Sequence, residues 1–295
     1  MQRTVMNNLM TKISIIIPSY NQGCYIGEAL ESIIKQNYEN FEIIVMDGGS
    51  NDNTIDIIHK YERHIAYWQS QKDGGQSAAI NEGFKRATGT FVTWLNSDDV
   101  MLKDTLFAVD NAIKKNPQVN WFLGNVVWMD KTGNILKVGK SEGANCFFNK
   151  HHLFSNGGPS AFIKKSCLQE LGWLREDFHY MMDTELWHRF IKNGNPFVRI
   201  NQYCWGLRLH ENAKMSGQNF KDSPLADKHH PSWVKKQRER TILMNLYPLN
   251  KFLLRVWLIS KLLSPSFYSR FTHMHLLGKH YSTIDEHRAE KRSIF

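Results

Sequence analysis

The first 130 residues alternate between short runs of consecutive apolar residues and segments in which apolar residues recur every three or four positions. Ile13 to Ile17 is a β-branched run that stops at Pro18, which predicts a strand buried on both faces. Further strands are predicted over Phe41–Met46, Ile65–Trp68, Phe91–Leu95 and Val119–Met129, and helices over Ile26–Ile34, Ile55–Tyr61, Ile80–Ala87 (ended by Gly89) and Leu102–Ile113. This alternation predicts an α/β fold with a mostly parallel central sheet flanked by helices.

Polar clusters follow four of the predicted strands. They are Pro18–Asn21, Asp47–Ser50, Asp73–Gln76 and Ser97–Asp99. In open sheets of this type, ligands bind beyond the carboxyl ends of the strands. We therefore expect the four loops to converge on one site.

The chain becomes less regular after about residue 140. Helices are predicted near Lys164–Leu171 and Asp183–Asn193. The domain boundaries that follow are an N-terminal extension (1–11), one domain with two halves (12–130 and 131–222) and a basic, helical C-terminal region (223–295).

Composition excludes several classes of protein. Hydrophobic residues make up 42% of the 295, and glycine and proline occur in ordinary numbers, as in a globular rather than a fibrous chain. The four cysteines are scattered, which favours neither a zinc site nor a disulfide framework. No apolar run approaches the roughly 18 residues of a membrane-spanning helix, and the N-terminal residues lack the apolar core of a signal peptide. Because neither signal is found, we expect a cytoplasmic protein.

The net charge of +9 lies entirely in the last quarter of the chain. Residues 1–227 hold 24 basic and 24 acidic residues, whereas residues 228–295 hold 13 basic against 4 acidic, and 13 − 4 = +9. Basic residues flank the Trp/Leu-rich segment Phe252–Leu263, which suits the inner face of an anionic membrane. A helix packed on the preceding domain is the alternative. No nucleic-acid-binding motif accompanies the charge, so we expect no nucleic-acid partner.

The candidate catalytic and metal-binding residues are an adjacent acidic pair, Asp98–Asp99, and a single acid, Asp183. Asp98 and Asp99 follow a strand. Adjacent carboxylates repel each other, and at a ligand-binding edge a bound divalent cation commonly neutralises that repulsion. The alternative is a solvated acidic turn. Asp183 stands where an amphipathic helix begins, so it could serve either as a general base or as a helix cap. A lone histidine such as His210 is more often structural than a metal ligand, and the pair His151–His152 is not assigned to a metal.

Taken together, these segments resemble the family 2 glycosyltransferases, the inverting class with the GT-A fold. The resemblance covers residues 12–215 and is carried by five segments in order: Ile13–Asn21, Ile44–Thr54, Asp73–Gly83, Trp94–Asp99 and Tyr180–Arg189. Each segment alone is weakly specific, but five in sequence are highly specific. Within the class, the chain resembles bacterial enzymes that assemble O-antigen and exopolysaccharide units on a lipid carrier.

The resemblance implies a role for each matching residue. Asp99 is expected on a Mn²⁺ or Mg²⁺ ion, Asp98 on the ion or the ribose, and Asp183 as the catalytic base. Arg208 and His210 match a region that contacts the diphosphate or the metal in some relatives. The remaining residues implied to bind the nucleotide sugar are Pro18, Ser19, Tyr20, Asn21, Asp47, Gly48, Ser50, Asp73, Gln76 and Asn81. The chain departs from the family at Met182, where a glutamate is usual.

The implied activity is metal-dependent transfer of a sugar, from a UDP-sugar, to a saccharide on a membrane lipid diphosphate at the inner face of the cell membrane. Two alternatives remain open at this stage. Met182 would suit a catalytically silent nucleotide-sugar-binding scaffold. A sugar nucleotidyltransferase would need a Gly-rich, basic loop after the first strand, and Pro18–Gly23 does not resemble one.

Overall fold

The computed structural model describes residues 10–141, 158–180, 182–195, 197–214 and 277–284. The strands in these ranges are β1 (Ile13–Ser19), β2 (Phe41–Asp47), β3 (Tyr67–Ser70), β4 (Phe91–Trp94), β5 (Val100–Met101), β6 (Trp121–Met129), β7 (Ile135–Gly139), β8 (Ala161–Lys164) and β9 (Val198–Arg208). The helices are α1 (Ile26–Ile34), α2 (Thr54–Tyr61), α3 (Gln76–Arg86), α4 (Thr105–Lys115), α5 (Lys165–Glu170) and α6 (Met182–Lys192). Short 3₁₀ turns occupy Glu62–His64, Gly158–Ser160 and Tyr281–Ile284.

The strands form one sheet in the order β3-β2-β1-β4-β8-β6-β9-β5, and β7 pairs with β6. From β3 to β4 the neighbours are parallel. Beyond β4 the sheet is mixed, because β8 is antiparallel to both β4 and β6 while β6 is parallel to β9. Register places Ser19 beside Asp47 and Asp47 beside Ser70. Three strands therefore end at one edge, where the polar loops begin.

Helices cover both faces of the sheet because its central strands are apolar on both sides. In β1, Ile13, Ile15 and Ile17 belong to the core beneath α1, α2 and α4, whereas Ile16 belongs to the core beneath α3, α5 and α6. All four side chains are fully buried. Burying one such side chain contributes about 1.5–3 kcal/mol. The doubly buried strand predicted from the apolar run is confirmed.

Close packing of α3 on β1 depends on a helical glycine. A Cβ atom added to Gly83 would lie 2.6 Å from Ile16 Cγ2, well inside van der Waals contact. The helix therefore approaches the sheet more closely than any other residue would permit. This fixes the start of α3, and the loop before it, over the end of the sheet.

The predicted helices and strands are largely present, with shifted ends. α3 ends at Arg86, so the expectation that Gly89 ends it is wrong; Gly89 instead donates its N–H to Ser14 Oγ on β1 at 2.9 Å. α4 begins at Thr105 rather than Leu102, because Val100 and Met101 pair with β9. The sequence pattern does not predict β5, β7 and β8, which have two, five and four residues.

Part of the C-terminal region lies against the main domain. Residues 277–284 run beside the turn between β6 and β7, where Ile135 N–H donates to Lys279 O at 2.7 Å and Tyr281 N–H donates to Gly133 O at 2.9 Å. The basic segment around Phe252–Leu263 and most of the N-terminal extension lie outside the described residues. In the part of the chain that is described, no helix has the length and hydropathy needed to traverse a bilayer.

Candidate active site

Hydrogen bonds join the loops at the carboxyl ends of β1 and β2. Gly48 N–H donates to Ser19 O at 2.8 Å, and Asn21 N–H donates to Ser50 Oγ at 2.7 Å. Asn21 has a φ of 52°, in the left-handed region that asparagine tolerates, and its side-chain oxygen accepts from Asn51 N–H. The two loops therefore form one unit, as the sequence predicted.

Asp47 anchors that unit from the end of β2. It is 1% exposed, and one carboxylate oxygen accepts from the backbone N–H groups of Gly49 and Ser50 at 3.0 and 2.8 Å. The hydroxyls of Ser50 and Ser70 also donate to the carboxylate, at 2.5 and 2.6 Å. These four hydrogen bonds offset the cost of removing the Asp47 carboxylate from water. Asp47 thus fixes the loop in addition to facing the site.

Three further residues of the first loop differ in exposure. Pro18 lies within β1 beside Met46, and Ser19 at the strand end is 6% exposed. Ser19 Oγ is buried and has no hydrogen-bond partner, which is uncommon in a folded protein. Tyr20, next along the chain, is 60% exposed. A ligand on this loop would therefore meet the open aromatic ring of Tyr20, whereas the Ser19 hydroxyl lies beneath the surface.

Asp73 lies opposite Gly48. A Cβ at Gly48 would approach Asp73 Oδ2 to 3.2 Å, so the two loops face each other closely. Asp73 Oδ1 accepts from Gly75 N–H at 2.7 Å. A cleft of about 230 Å³ opens here, with Asp47, Lys72 and Asp73 among its lining residues. This volume is below the range of about 300–1,000 Å³ typical of whole-ligand pockets, so the cleft suits one part of a larger ligand.

The acidic pair Asp98–Asp99 lies in the turn after β4. Asp99 is 3% exposed; it accepts from Asn96 Nδ2 at 2.9 Å and from the backbone N–H of Arg208 at 2.9 Å. Burial raises the pKa of Asp99, the neighbouring charge of Asp98 raises it further, and those donors oppose the shift. Two carboxylates are thus held together where the sheet ends.

Arg208 and His210 come to the acidic pair from the end of β9. His210 Nε2 lies 3.1 Å from Asp98 Oδ2, and its ring lies 4.8 Å from that of Tyr25. The buried Arg208 guanidinium donates to Asp98 O, to Lys131 O and to Glu28 Oε2. Arg208 therefore supports the acidic turn directly, and its predicted contact with a diphosphate stays a prediction.

The donor set around Asp98 suits a hard divalent cation that also binds substrate. Two carboxylates and an imidazole lie together, and burial of adjacent negative charges favours a counter-ion. In the described ranges, no three His, Cys, Asp or Glu side chains converge closely enough to hold an ion alone. Mg²⁺ in phosphate-transferring sites is commonly held by one or two carboxylates together with substrate phosphates. The residues present fit that arrangement.

A chain of side-chain hydrogen bonds leads from Asp99 to a lysine that the sequence pattern does not single out. Asn96 Nδ2 donates to Asp99, Gln76 Nε2 donates to Asn96 Oδ1 at 2.8 Å, and Lys214 Nζ donates to Gln76 Oε1 at 2.9 Å. Gln76 therefore lies beside the acidic pair. Asn81 is on the same helix, but its amide is committed to the backbone of Leu174.

Asp183 is placed by a strongly anchored helix. Leu186, Trp187 and Phe190 of α6 are fully buried, and Trp187 stacks on Trp121 with ring centroids 4.8 Å apart. The helix begins at Met182, so Asp183 lies in its first turn. The amphipathic helix predicted near Asp183–Asn193 is confirmed.

The surroundings of Asp183 raise the affinity of its carboxyl group for a proton. Burial raises the pKa of its carboxyl group, while N–H donors from Thr184 and Gly158, at 2.7 and 3.0 Å, oppose the shift. A Cβ at Gly158 would lie 2.0 Å from Trp94 Cζ2, so only glycine fits there. Burial lowers the pKa of Lys214 to about 8, and the charge of Asp183 acts against that change.

Met182 occupies the position where the resembled family carries a glutamate. Its side chain is 7% exposed within the core beneath α3 and α6, and Ser77 Oγ lies 2.8 Å from its sulfur. This side chain belongs to the packing of the domain. Asp183 therefore has a cation, Lys214, in its electrostatic surroundings rather than a second acid at the adjacent position.

Three contributors to the site are missed by sequence reasoning. Asn96 lies inside a recognised segment but carries no signal of its own, and Gly158 lies in a stretch without a readable pattern. Lys214 follows His210 by four residues, which is the one signal that could have marked it. Each acts through a contact between segments that are distant in the chain. Such contacts produce no periodic pattern of apolar and polar residues in the local sequence.

An α/β sheet with acidic side chains converging at its carboxyl edge defines the class of proteins that bind ligands at strand ends. The model of the glycosyl transferase family 2 matches residues 14–172, more than half of the chain. The chain belongs to that family. The family predicted by resemblance is thereby confirmed.

Curated relatives agree with this assignment. An uncharacterized glycosyltransferase of Haemophilus influenzae is 35% identical over 132 residues, which are 44% of this chain and 52% of the relative. The poly-beta-1,6-N-acetyl-D-glucosamine synthase of Staphylococcus epidermidis is 28% identical over 204 residues, 66% of this chain and 50% of the relative. The matched part of the chain thus spans about half the length of these relatives.

Solved structures share the fold. The structure of S. aureus TarS 1-349 in complex with UDP-GlcNAc matches with a TM-score of 0.60 at 22% identity, covering 74% of this chain and 69% of that one. The mannosyltransferase PcManGT of Pyrobaculum calidifontis, in complex with GDP-Man and Mn²⁺, matches with a TM-score of 0.51 at 19% identity, covering 69% and 59%. The predicted GT-A fold is confirmed.

Proposed function

We propose that the protein is a metal-dependent inverting glycosyltransferase that moves a sugar from a nucleotide diphosphate to a saccharide acceptor. The observation that carries the proposal is the hydrogen-bonded chain from Lys214 through Gln76 and Asn96 to Asp99. It connects the surroundings of the half-buried Asp183, which we propose as the base, with the acidic turn at the ends of the parallel strands. One site thus holds both a group that accepts a proton and a group that binds a cation.

Asp183 accepts the proton of the acceptor hydroxyl as that oxygen attacks the anomeric carbon. The bond from this carbon to the diphosphate breaks, and the leaving oxygen keeps the electron pair. Asp98, Asp99 and His210 would hold Mn²⁺ or Mg²⁺ only together with the phosphates of the donor, and the ion would neutralise the charge on the departing diphosphate. With one base and no carboxylate nucleophile assigned, a single displacement with inversion follows.

The donor we propose is a UDP-sugar. The cleft of about 230 Å³ beside Asp47 and Asp73 has the size for one part of such a ligand, its base, with the rest extending towards Asp99. The exposed ring of Tyr20 offers a stacking surface on the loop after β1. The UDP-GlcNAc and GDP-Man complexes of proteins with this fold support the class of donor.

For the acceptor we propose a saccharide linked to a lipid diphosphate, in O-antigen or exopolysaccharide assembly. The support is the basic composition of the C-terminal region, which would hold the enzyme at the cytoplasmic membrane surface. The relative from Staphylococcus epidermidis, a polysaccharide synthase by name, points to the same kind of product.

The test is transfer by the full chain from a panel of UDP-sugars, with Mn²⁺, to lipid-linked saccharides, and the anomeric configuration of the product read by NMR. We expect UDP release coupled to an inverted glycosidic bond. Tight binding of UDP-sugar without turnover across the acceptor panel would instead identify a silent scaffold. Pyrophosphate release from UTP and a sugar phosphate would identify a nucleotidyltransferase.

Replacement of Lys214 tests the hydrogen-bonded chain. We expect Lys214→Met to lower turnover at neutral pH about fivefold, because the chain loses one hydrogen bond worth about 1 kcal/mol. We also expect the acidic limb of the pH profile to move to higher pH, since a positive charge near Asp183 is removed. The exposed Lys35→Met, which pairs with Glu31 on α1, serves as the control. An unchanged pH profile would contradict the role given to Lys214.

A further inference from the structure

A tyrosine from the C-terminal segment connects with the acidic turn. Tyr281 packs against the core formed by β5, β6 and β7, and its hydroxyl donates to Glu28 Oε1 at 2.7 Å. The pair joins residues 253 positions apart in the sequence. Burial raises the pKa of the Tyr281 phenol, and its hydrogen bond to Glu28 raises it further, so Tyr281 is a neutral donor at physiological pH.

Glu28 uses its second oxygen for the buried arginine of the site. Glu28 Oε2 accepts from Arg208 Nη2 at 2.5 Å, and the side chains of Glu28 and Arg208 are 37% and 2% exposed. A buried guanidinium that loses its carboxylate partner carries a desolvation cost. The hydroxyl of Tyr281 holds that carboxylate, which otherwise has access to solvent, in its position beneath Arg208.

Arg208 touches the acidic turn at two places. Its Nε donates to Asp98 O and its backbone N–H donates to Asp99 Oδ1, each at 2.9 Å. A shift of the guanidinium would therefore disturb the backbone of Asp98, next to Asp99, while pairing of β9 with β6 holds the backbone N–H that orients Asp99. Groups that orient ligand side chains in this way commonly tune metal affinity.

We propose that Tyr281 is a positioning residue for the divalent-cation site, acting through Glu28 and Arg208 on the turn Asp98–Asp99. The inference rests on the proposed function, since it takes the turn to be the place where Mn²⁺ binds. It makes the segment 277–284 part of the site's support, although the sequence assigns it to a separate basic region.

The test compares Tyr281→Phe with a matched variant at a second tyrosine that binds the same helix, α1. Tyr61 donates to Glu31 Oε1 at 2.7 Å, one helical turn beyond Glu28, but Glu31 pairs with the exposed Lys35 and not with Arg208. Tyr61→Phe therefore removes an equivalent hydrogen bond that does not lead to the acidic turn. Both variants lose one hydroxyl and keep the ring.

We expect calorimetric titration with Mn²⁺ in the presence of UDP to show about fivefold weaker Mn²⁺ binding by Tyr281→Phe, and unchanged binding by Tyr61→Phe. We also expect the Mn²⁺ concentration at half-maximal turnover to rise, with kcat at saturating Mn²⁺ near that of the unchanged chain. A double-mutant cycle with Glu28→Gln should be non-additive, because both residues act along one path.

Equal Mn²⁺ affinity in Tyr281→Phe, Tyr61→Phe and the unchanged chain would overturn this inference and leave the proposed function standing. A lower melting temperature of Tyr281→Phe with no change in Mn²⁺ affinity would overturn it too, because the hydroxyl would then serve stability alone. If the unchanged chain itself binds no Mn²⁺ with UDP, the metal-dependent function and this inference are both overturned.

Discussion

Asp183→Asn is expected to lower the rate of sugar transfer about 1,000-fold, within the range of about 10²–10⁴ that a general base contributes. Asparagine keeps the size of the side chain and can still accept from Gly158 N–H through its amide oxygen. It cannot take up a proton from the acceptor hydroxyl. The loss should therefore fall on kcat, while binding of UDP with Mn²⁺ stays close to that of the unchanged chain.

The pH profile of transfer provides a second measurement of the same role. Burial raises the pKa of Asp183, and the base works only when it is deprotonated. Activity should thus fall as the pH decreases through a value above the usual aspartate range near 4. Asp177→Asn, on the preceding loop where Asp177 pairs with the exposed Arg175, is the control. Transfer by Asp183→Asn at the rate of the unchanged chain would refute the assignment.

Asp99→Asn is expected to abolish the coupling between Mn²⁺ and UDP. Asparagine can still accept from Arg208 N–H, so the fold of the turn should persist while the negative charge is lost. In the unchanged chain, Mn²⁺ with UDP should raise the melting temperature by mass action, whereas in Asp99→Asn the combination should add nothing beyond UDP alone. Turnover should fall at least about 100-fold, the upper range for loss of a metal-orienting group.

A matched variant separates the site from general charge effects. Asp56 is an exposed aspartate in the first turn of α2, and Asp56→Asn removes the same charge away from the acidic turn. It should leave both the Mn²⁺-dependent shift in melting temperature and the turnover unchanged. If Asp99→Asn retained full activity or the full Mn²⁺-dependent shift, the cation site would have to lie elsewhere.

The convergence of the loops after β1, β2 and β3 was predictable, because the order of parallel strands along the chain determines which loops meet at one edge of the sheet. Parallel strands end at one edge, so the loops around Asp47 and Asp73 could be brought together from their order in the chain alone. The structure agrees, because Gly48 lies close to the Asp73 carboxylate and both Asp47 and Asp73 line the same cleft. The position of Asp98–Asp99 at the same edge could be predicted in the same way, because the pair closely follows the apolar run of β4.

The supporting contacts were not predictable, because each joins segments that are distant in sequence. Gly158 N–H reaches Asp183 across 25 residues, and Lys214 reaches Gln76 across 138. Neither contact has a periodic or compositional signature. The sequence indicates Arg208 only as a ligand contact, and the structure adds that it links Glu28 to the acidic turn.

The sequence by itself determined the α/β class, the doubly buried β1, the family and the edge at which Asp98 and Asp99 emerge. The spacing of apolar residues and the order of the strands decide these features, and both can be read directly from the sequence. Only the tertiary structure decided that Lys214 lies near Asp183 and that Tyr281 donates to Glu28, the carboxylate that pairs with Arg208. Side-chain hydrogen bonds between distant segments depend on ångström-scale placement by the packed core, and local sequence patterns do not encode that placement.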